Sequence, residues 1–212
     1  MISVSPDSAR KPILRAILPL DRTVTTLVGV IADTHVPQRL KRLPAGIDQV
    51  FDGVSLILHA GDINSLRVLD ELGRIAPVLA VTGNADPPWY KLPRRRIVEV
   101  DGCRIGLTHG HNGWRRYLAD KVRDNLGGWQ QSRYLRYARQ AFQDVDVIIT
   151  GHTHHPHLAY VDGALLFNPG AIAPDYYTFP GPTVGLLNIQ DGVARAEVAP
   201  VGWRGHCAPL EV

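Results

Sequence analysis

Cysteines and long apolar runs are scarce in this sequence. Only Cys103 and Cys207 occur among 212 residues, which excludes a disulfide-dense secreted scaffold and a metal site built from thiolates. No apolar segment has the length that a bilayer-spanning helix needs, and residues 1–26 contain no apolar run of signal-peptide length. We therefore expect a cytoplasmic protein without membrane segments.

A strong net charge is also missing. The 23 basic and 20 acidic residues leave a formal charge of +3, so nucleic acid is not expected as a partner, whereas a phosphate-bearing substrate is compatible. With 45% hydrophobic residues, the chain can bury the core of one domain. We predict this domain over residues 27–200, after an N-terminal extension at 1–26 and before a C-terminal tail at 201–212. Whether the protein forms a homo-oligomer stays open.

Three apolar runs in the first half predict strands that each end in a side chain able to bind metal. Residues 27–31 lead into Asp33-Thr34-His35, residues 56–59 into Gly61-Asp62, and residues 78–81 into Gly83-Asn84. Helices are predicted at 46–51 and at 65–74, the second capped by Asn64 or Ser65. Ligand sites of α/β sheets gather at the carboxyl ends of strands, so we expect these side chains to share one site.

The second half predicts antiparallel hairpins and two further strand ends. Asp-Gly pairs at 101–102, 162–163 and 191–192 stand between apolar runs, which is typical of tight hairpin turns. Residues 104–107 lead into His109-Gly110-His111, and residues 147–149 lead into Gly151-His152-Thr153-His154. In the latter motif, extended backbone places both imidazole rings on one side. Mixed sheets flanked by helices follow from this order of elements.

In chain order the strand ends are Asp33-x-His35, Gly61-Asp62, Gly83-Asn84, His109-Gly110 and Gly151-His152-x-His154. This set resembles the calcineurin-like metallophosphoesterases, and its compact layout is similar to their small bacterial and archaeal phosphodiesterase branch. The resemblance covers roughly residues 27–200 and implies an α/β fold of two mixed β-sheets packed as a sandwich flanked by helices. It also implies one metal ion on Asp33, His35, Asp62 and His154, and a second on Asp62, Asn84, His109 and His152, with Asp62 bridging.

The charges and donor types of the implied ligands predict what the site would bind. Two carboxylates, four imidazoles and one amide leave about two positive charges on a pair of divalent ions, and such a site favours an anion. Two ions about 3.5–4 Å apart can hold phosphoryl oxygens and activate a water for in-line attack. Nitrogen and oxygen ligands suit Mn²⁺, Zn²⁺, Fe, Ni²⁺ or Co²⁺, of which we expect Mn²⁺.

These observations predict a dinuclear metal-dependent phosphodiesterase. We expect it to hydrolyse a P–O bond of a small phosphate ester or nucleotide-like substrate by attack of a metal-bridging hydroxide. The alternative is a binding scaffold with weak or no catalysis. The scaffold subunit of retromer resembles this fold and does not serve chiefly as an enzyme. A scaffold, however, has no need of all seven ligands.

Ala85 departs from the family pattern. In many metallophosphoesterases the residue after the Gly-Asn asparagine is a histidine that protonates the leaving group, and an alanine cannot transfer a proton. The small phosphodiesterase branch commonly lacks that histidine as well. His111 is the nearest alternative acid by sequence, so the expected catalytic residues are Asp62, Asn84 and His111.

Residues 112–144 predict a helical insert. Trp114, Leu118, Val122 and Leu126 recur at helical spacing and predict a stripe of core residues, Gly127-Gly128 ends this helix, and Leu135, Ala138 and Phe142 mark a second helix. The basic residues of the insert have two interpretations, a solvated face or contacts with the remote part of the substrate. The candidates for substrate contact are Arg115, Arg116 and Arg123.

Five further features, four single residues and one segment, lie outside the implied ligand set. His59 lies inside an apolar strand and is interpreted as a structural histidine, while His155 and His157 are expected at the rim of the site. Asp86 either bonds the ligand shell or forms a turn. The segment 168–170 is either an ordinary turn or a support for the ligand loops.

Overall fold

Ten strands in the described part of the chain form two five-stranded sheets. The computed structural model describes residues 25–111, 113–128, 130–173 and 181–202. Residues 1–24 of the predicted N-terminal extension and residues 203–212 of the predicted tail, including Cys207, lie outside the described residues.

The elements follow the predicted order along the chain. The strands are β1 (Thr26–Ile31), β2 (Leu56–His59), β3 (Val78–Ala80), β4 (Arg95–Val100), β5 (Cys103–Thr108), β6 (Val147–Ile149), β7 (His157–Val161), β8 (Ala164–Asn168), β9 (Thr183–Gln190) and β10 (Val193–Pro200). The helices are α1 (Ile47–Val50), α2 (Arg67–Leu72), α3 (Trp114–Gly127) and α4 (Gln131–Ala141).

Both sheets mix parallel and antiparallel pairs. The first has the order β10-β9-β1-β2-β3, with β1, β2 and β3 parallel to one another. The second has the order β4-β5-β6-β8-β7, with β5, β6 and β8 parallel. Because parallel strands end at the same edge of a sheet, the loops after β1, β2 and β3 meet at one edge, as do those after β5 and β6.

Apolar side chains from both sheets form one shared core. Val30 and Leu58 of the first sheet and Ile105 and Ile149 of the second are fully buried in the same cluster. Complete burial of a side chain of this size contributes about 1.5–3 kcal/mol. The expected α/β sandwich of two mixed sheets is therefore confirmed.

Helices cover the outer faces of the sandwich. Phe51 and Leu72 pack with Ile57 on the first sheet, while Ala138 and Phe142 pack with Ile148 on the second. No helix in the described ranges combines the length and the apolar character that crossing a membrane requires.

The three predicted hairpins are confirmed. At each Asp-Gly pair both residues have positive φ, namely Asp101 (45°) with Gly102 (78°), Asp162 (47°) with Gly163 (81°), and Asp191 (51°) with Gly192 (79°). Two consecutive left-handed residues match the type I′ turn, whose twist suits antiparallel strands.

Two local predictions are wrong. Helix α2 is shorter than residues 65–74 and has no side-chain cap, because the Asn64 side chain bonds His35 and the Ala85 carbonyl instead. The predicted core stripe of α3 faces outward, since Leu118, Val122 and Leu126 are 46%, 58% and 85% exposed.

Polar contacts attach α3 to α4. Asp120 is 2% exposed and accepts a hydrogen bond from the Tyr137 hydroxyl at 3.2 Å. Asp124 accepts bonds from Arg133 and from the Tyr134 hydroxyl, both at 2.8 Å. Acidic side chains therefore occupy the inner side of α3, which leaves its apolar stripe on the outside.

Candidate metal centre

Five loops that follow parallel strands bring the predicted metal ligands together. The loops follow β1, β2, β3, β5 and β6, and they carry Asp33, His35, Asp62, Asn84, His109, His152 and His154. Two buried groups of donor atoms result, Asp33 with His35 and His154, and Asp33 with Asp62 and His109. Within each group the donor atoms lie within 4.8 Å of one another, so each group can hold a metal ion.

The first group gathers around the Asp33 carboxylate. Nε2 of His154 lies 3.3 Å from Oδ1 of Asp33 and 3.4 Å from Nε2 of His35. Oδ2 of Asp62 lies 3.5 Å from the same His35 nitrogen. Donor atoms from three loops thus face one space.

The second group lies beside the other oxygen of Asp62. Nε2 of His109 is 3.3 Å from Oδ1 of Asp62 and 3.0 Å from Oδ1 of Asn84. The His152 ring packs next to His109, with 5.1 Å between the ring centroids. The two oxygens of Asp62 therefore face different histidines, as in a carboxylate that bridges two cations.

The donors fit divalent cations. Oδ1 of Asp33 is buried and accepts no hydrogen bond within the described residues, although Nε2 of His154 lies 3.3 Å away. An unsatisfied buried acceptor costs about 1–3 kcal/mol, and a cation would remove this cost. Imidazole nitrogens with carboxylate and amide oxygens are ligands that Mn²⁺, Zn²⁺ and related ions accept.

Hydrogen bonds behind the centre orient two of its histidines. Nδ1 of His35 is 2.8 Å from Oδ1 of Asn64, and Nδ1 of His109 is 2.8 Å from the Ala60 carbonyl oxygen. Because both partners are acceptors, each Nδ1 carries the hydrogen and each Nε2 faces the centre. This role of Asn64 was not predicted from the sequence, where only its position in the loop after β2 pointed to it.

The ligand loops have unusual backbone. Left-handed φ values occur at Asp33 (52°), His35 (45°), Asp62 (55°), Asn64 (64°), His152 (72°) and His154 (60°). Asp, Asn and His adopt this conformation more readily than most residues with a Cβ atom. Such conformations persist where the surrounding structure fixes them, and they cluster at ligand sites.

Two glycines let the loops pack closely. A Cβ atom on Gly151 would lie 2.7 Å from Oδ2 of Asp33, and one on Gly83 would overlap Asp62. The backbone of the β6 loop can therefore approach Asp33, and the N–H of His152 donates to Oδ2 of Asp33 at 2.9 Å.

Asp86 holds two ligand loops together. Its Oδ1 accepts hydrogen bonds from the backbone N–H groups of Ile63 and Asn64 at 2.7 and 2.8 Å. Its Oδ2 accepts those of Asp62 and Gly83 at 3.0 and 2.7 Å. Of the two interpretations of Asp86, the structure favours a bond to the ligand shell, made through the backbone.

His59 and Asn168 support the centre from outside. Nδ1 of His59 accepts the Gly61 N–H at 3.2 Å, and burial lowers the pKa of His59 to about 4, so a structural, neutral histidine is confirmed. The Asn168 amide donates to the Gly151 carbonyl at 2.8 Å and to the Thr153 hydroxyl at 3.1 Å. The segment 168–170 therefore supports the β6 ligand loop.

Neighbouring charges at the centre shift the pKa values of its carboxylates and histidines. Burial opposes ionisation of Asp62, yet neighbouring His109 holds the pKa of Asp62 well below its usual range. Burial likewise opposes a charge on His109, but Asp62 and Asp33 raise the pKa of His109 to about 9. Burial and the charge of His109 lower the pKa of His152 to about 3. Without metal, His109 carries a proton that a metal ligand must lose.

A cleft of about 280 Å³ opens onto these donors. Besides His35, Asp62, Asn84, His152 and His154, its lining includes Arg39, Ala85, Tyr117 and Lys121. Tyr117 packs against His152 at 5.7 Å between ring centroids, and Nζ of Lys121 lies 5.3 Å from the Tyr117 ring centroid. Helix α3 thus supplies an aromatic wall and a positive charge to the cleft.

Arg115, Arg116 and Arg123 are not among the described lining residues of this cleft. Arg115 is exposed, Arg116 lies 5.0 Å from the Tyr137 ring centroid, and Arg123 lies 3.7 Å from Asp120. The structure does not bring the three predicted substrate contacts to the cleft. The same helix, α3, places Lys121 at the cleft. The sequence did not distinguish Lys121 from the other basic residues of the insert.

His111 packs beside His109 and belongs to neither donor group. The ring centroids of His109 and His111 are 5.4 Å apart, and Nδ1 of His111 is buried without a hydrogen-bond partner in the described chain. Burial and the charge of His109 lower the pKa of His111 to about 4. The ring is therefore neutral at pH 7, which does not suit the predicted role of proton donor.

The rim residues that follow the Gly-His-Thr-His motif are half-buried. His155 donates its backbone N–H to the Thr153 hydroxyl at 3.4 Å, and His157 begins β7. Neither belongs to the two donor groups or lines the cleft over them, so the expected rim position stays a prediction.

Comparison with known proteins identifies the family. The model of the calcineurin-like phosphoesterase superfamily domain matches residues 27–192. A probable metallophosphoesterase of Methanothermobacter thermautotrophicus is 38% identical over 177 residues, which cover 83% of this chain and 93% of that protein. A phosphodiesterase of Methanocaldococcus jannaschii is 28% identical over 179 residues, which cover 77% of this chain and 93% of that protein.

A solved structure has a similar fold. The crystal structure of Vps29 from Entamoeba histolytica in complex with Zn²⁺ aligns with a TM-score of 0.58 and 28% identity, over 82% of this chain and 98% of that chain. The matched family domain spans all five loops of the candidate centre, whose Asp and His groups can hold divalent metal. The chain therefore belongs to the calcineurin-like phosphoesterase superfamily.

Proposed function

We propose that the protein is a dinuclear metal-dependent phosphodiesterase. The observation that carries the proposal is the position of Asp62, whose Oδ1 lies 3.3 Å from His109 and whose Oδ2 lies 3.5 Å from His35. One ion would be held by Asp33, His35, Asp62 and His154, and the other by Asp62, Asn84, His109 and His152. Asp62 would bridge the pair.

The charge of the site supports an anionic ester as substrate. Two carboxylates offset two of the four positive charges of a pair of divalent ions. When bound, such ions stabilise charge on phosphoryl oxygens and activate water for attack on phosphorus. Arg39 and Lys121 add two positive groups to the cleft lining, so they can attract and orient the ester.

Mn²⁺ is the metal that we propose, and the donor types are compatible with it. Cys103, the cysteine within the described residues, is buried in the core between the sheets, so the centre contains no thiolate from that part of the chain. Carboxylate, amide and imidazole donors suit Mn²⁺, while Zn²⁺, Fe, Ni²⁺ and Co²⁺ accept the same donors.

A diester suits the cleft better than an unactivated monoester. Ala85 lines the cleft next to Asn84 and offers no proton for a departing oxygen. His111, the expected alternative, is neutral at pH 7 because its pKa is lowered to about 4. The similarity to a phosphodiesterase of M. jannaschii agrees with this substrate class.

A binding scaffold is the second candidate, favoured by the similarity to Vps29 structures. A scaffold would bind its partners through the surface of the sandwich. It would not require metal-binding side chains that are held in a fixed orientation. Here Asn64 and Ala60 orient His35 and His109 towards the centre. This arrangement supports catalysis as the first candidate.

The experiment is a hydrolysis assay of purified protein reconstituted with Mn²⁺ or Zn²⁺. Bis(p-nitrophenyl) phosphate should be hydrolysed faster than p-nitrophenyl phosphate, and a chelator should abolish both reactions. Asp62→Asn should lose both metal ions in elemental analysis and nearly all activity, because one residue contributes to both sites. Exposed Asp70→Asn is the matched control. Full metal loading and activity in Asp62→Asn would contradict the dinuclear assignment, and inactivity of the loaded wild type would favour the scaffold.

A further inference from the structure

A second, larger cavity adjoins the metal centre. Its volume is about 450 Å³, and its lining includes Thr82, Pro88, Tyr90, Leu92, Arg94 and His111. Asn84 lines both this cavity and the cleft over the donor groups. Cavities of roughly 300–1,000 Å³ are the usual size for binding organic ligands, so the space suffices for a substituent much larger than a methyl group.

Existing hydrogen bonds fix much of the cavity wall. Asp86 lines the cavity, but its carboxylate already accepts four backbone N–H groups. The Tyr90 hydroxyl donates to the Asn64 carbonyl at 3.1 Å. These bonds hold the wall in place and satisfy polar groups that would otherwise require water or ligand.

The remaining lining has a distinct chemistry. Pro88, Tyr90 and Leu92 provide apolar and aromatic surface, and Arg94 provides a positive charge with several hydrogen-bond donors. Apolar walls with a few polar groups are typical of sites for small organic molecules. A flat aromatic group that carries hydrogen-bond acceptors matches this combination, since Tyr rings stack on flat groups and guanidinium binds acceptors.

We propose that this cavity binds the second ester substituent of the substrate, and that this substituent is a nucleoside or a similar acceptor-bearing aromatic group. The inference rests on the proposed phosphodiesterase function, because it places the phosphoryl group at the donor groups beside Asn84. The two substituents of a diester then extend into two cavities, one lined by Arg39 and Lys121 and the other by Tyr90 and Arg94.

The kinetic test compares diesters that share one leaving group. Thymidine 5′-(p-nitrophenyl phosphate) and methyl p-nitrophenyl phosphate both release p-nitrophenolate and differ in the second substituent. Tyr90→Ala should lower kcat/KM for the thymidine ester roughly tenfold, the usual effect of losing a base-stacking side chain. Arg94→Gln should lower it roughly fivefold. The methyl ester should be affected less than twofold in both variants.

Lys91→Gln is the matched control for Arg94→Gln. Lys91 is exposed in the same segment and is not among the residues that line the cavity, so the ratio of the two kcat/KM values should stay at the wild-type level. An unchanged ratio in Arg94→Gln, or an equal loss in Lys91→Gln, would overturn the inference. The Tyr90 hydroxyl also bonds the Asn64 carbonyl, so Tyr90→Ala can disturb the loop after β2. If Tyr90→Ala lowers kcat/KM for both esters equally, the result for Arg94→Gln decides.

A binding measurement separates this inference from the proposed reaction. Calorimetry with Mn²⁺-loaded protein should give at least tenfold tighter binding of thymidine 5′-monophosphate than of inorganic phosphate, and Arg94→Gln should reduce that advantage. Suppose that no ester is hydrolysed, but the wild type prefers thymidine 5′-monophosphate over inorganic phosphate and Arg94→Gln reduces that preference. The cavity assignment then stands and the phosphodiesterase proposal fails. If esters are hydrolysed and the nucleotide has no advantage, the cavity assignment fails alone.

Discussion

The Asp86 carboxylate accepts a hydrogen bond from the backbone N–H of Asp62 at 3.0 Å. The same carboxylate accepts three more backbone N–H groups, from Ile63, Asn64 and Gly83. The loop after β2 and the loop after β3 are thus joined by one side chain that does not itself belong to the donor groups. The position of the Asp62 carboxylate depends on this junction.

Asp86→Asn should therefore weaken both the fold and metal binding. An amide keeps one acceptor oxygen and turns an NH₂ group towards backbone donors, so at least one buried N–H loses its partner. We expect the free energy of unfolding to fall by about 2–4 kcal/mol, with weaker Mn²⁺ affinity. Chemical denaturation and metal titration measure the two effects. Asp70→Asn, an exposed change on α2, should alter neither, and an Asp86→Asn protein with wild-type stability would contradict the role of the junction.

Metal uptake should release a proton from His109. Asp62 and Asp33, acting against burial, raise the pKa of His109 to about 9, so the metal-free ring is protonated at pH 7, whereas a coordinating imidazole is neutral. His152 adds no proton, because its pKa is lowered to about 3. At any pH below the raised pKa of His109, the proton on its ring competes with the metal ion. Metal affinity should therefore rise about tenfold per pH unit between roughly pH 6.5 and 8.

Calorimetric titration with Zn²⁺ or Mn²⁺ in buffers of different ionisation enthalpy measures this release. The apparent enthalpy should change with the buffer in proportion to about one proton from His109. An affinity that does not change with pH, together with an enthalpy that does not change with the buffer, would show that His109 is already neutral in the metal-free protein.

Lys121 should matter for substrate binding where neighbouring Arg123 does not. Lys121 lines the cleft over the donor groups, whereas Arg123 is exposed and pairs with Asp120. Lys121→Met should raise KM for an anionic diester several-fold, with a smaller change in kcat, because it removes binding shared by ground state and transition state. Arg123→Met should change KM by less than twofold. Steady-state kinetics of the two variants measure both KM values. Equal increases in KM would indicate that both residues act only through the overall positive charge of the surface.

The ligand loops were predictable because their signals are local. Apolar runs such as 27–31 mark strands, and the polar residue that follows each run is placed by the parallel topology. The Asp-Gly hairpins were predictable for the same reason, since two residues define the turn. Both patterns can be recognised within a few consecutive residues, and only the grouping of the strand ends requires the sheet topology.

The supporting contacts were not predictable, because they join distant segments. Asn64 resembles a helix cap in the sequence, yet it bonds His35 and the Ala85 carbonyl. Leu118, Val122 and Leu126 have core spacing, but the buried bonds of Asp120 orient α3 with these residues outward. In both cases a tertiary contact overrides the local pattern.

The final prediction concerns Ala85. This residue lines the cleft beside Asn84 and donates its backbone N–H to Oδ1 of Asp62 at 2.8 Å, so its position is fixed but its side chain transfers no proton. Cleavage must then depend on the ability of the leaving group to carry negative charge. Values of kcat/KM for substituted phenyl diesters should fall steeply as the pKa of the leaving phenol rises, when the chemical step limits the rate.

Ala85→His should make that dependence shallower, because a protonated ring beside Asn84 can donate to the departing oxygen. If the wild-type dependence is already shallow, another acid acts, and Lys121 is the candidate because it lines the same cleft as Ala85. Lys121→Met should then steepen the dependence, whereas His111→Ala should leave it unchanged, since His111 is neutral at pH 7 and lines the other cavity. A dependence that neither Ala85→His nor Lys121→Met alters would mean that proton donation from this side of the cleft plays no part in leaving-group departure.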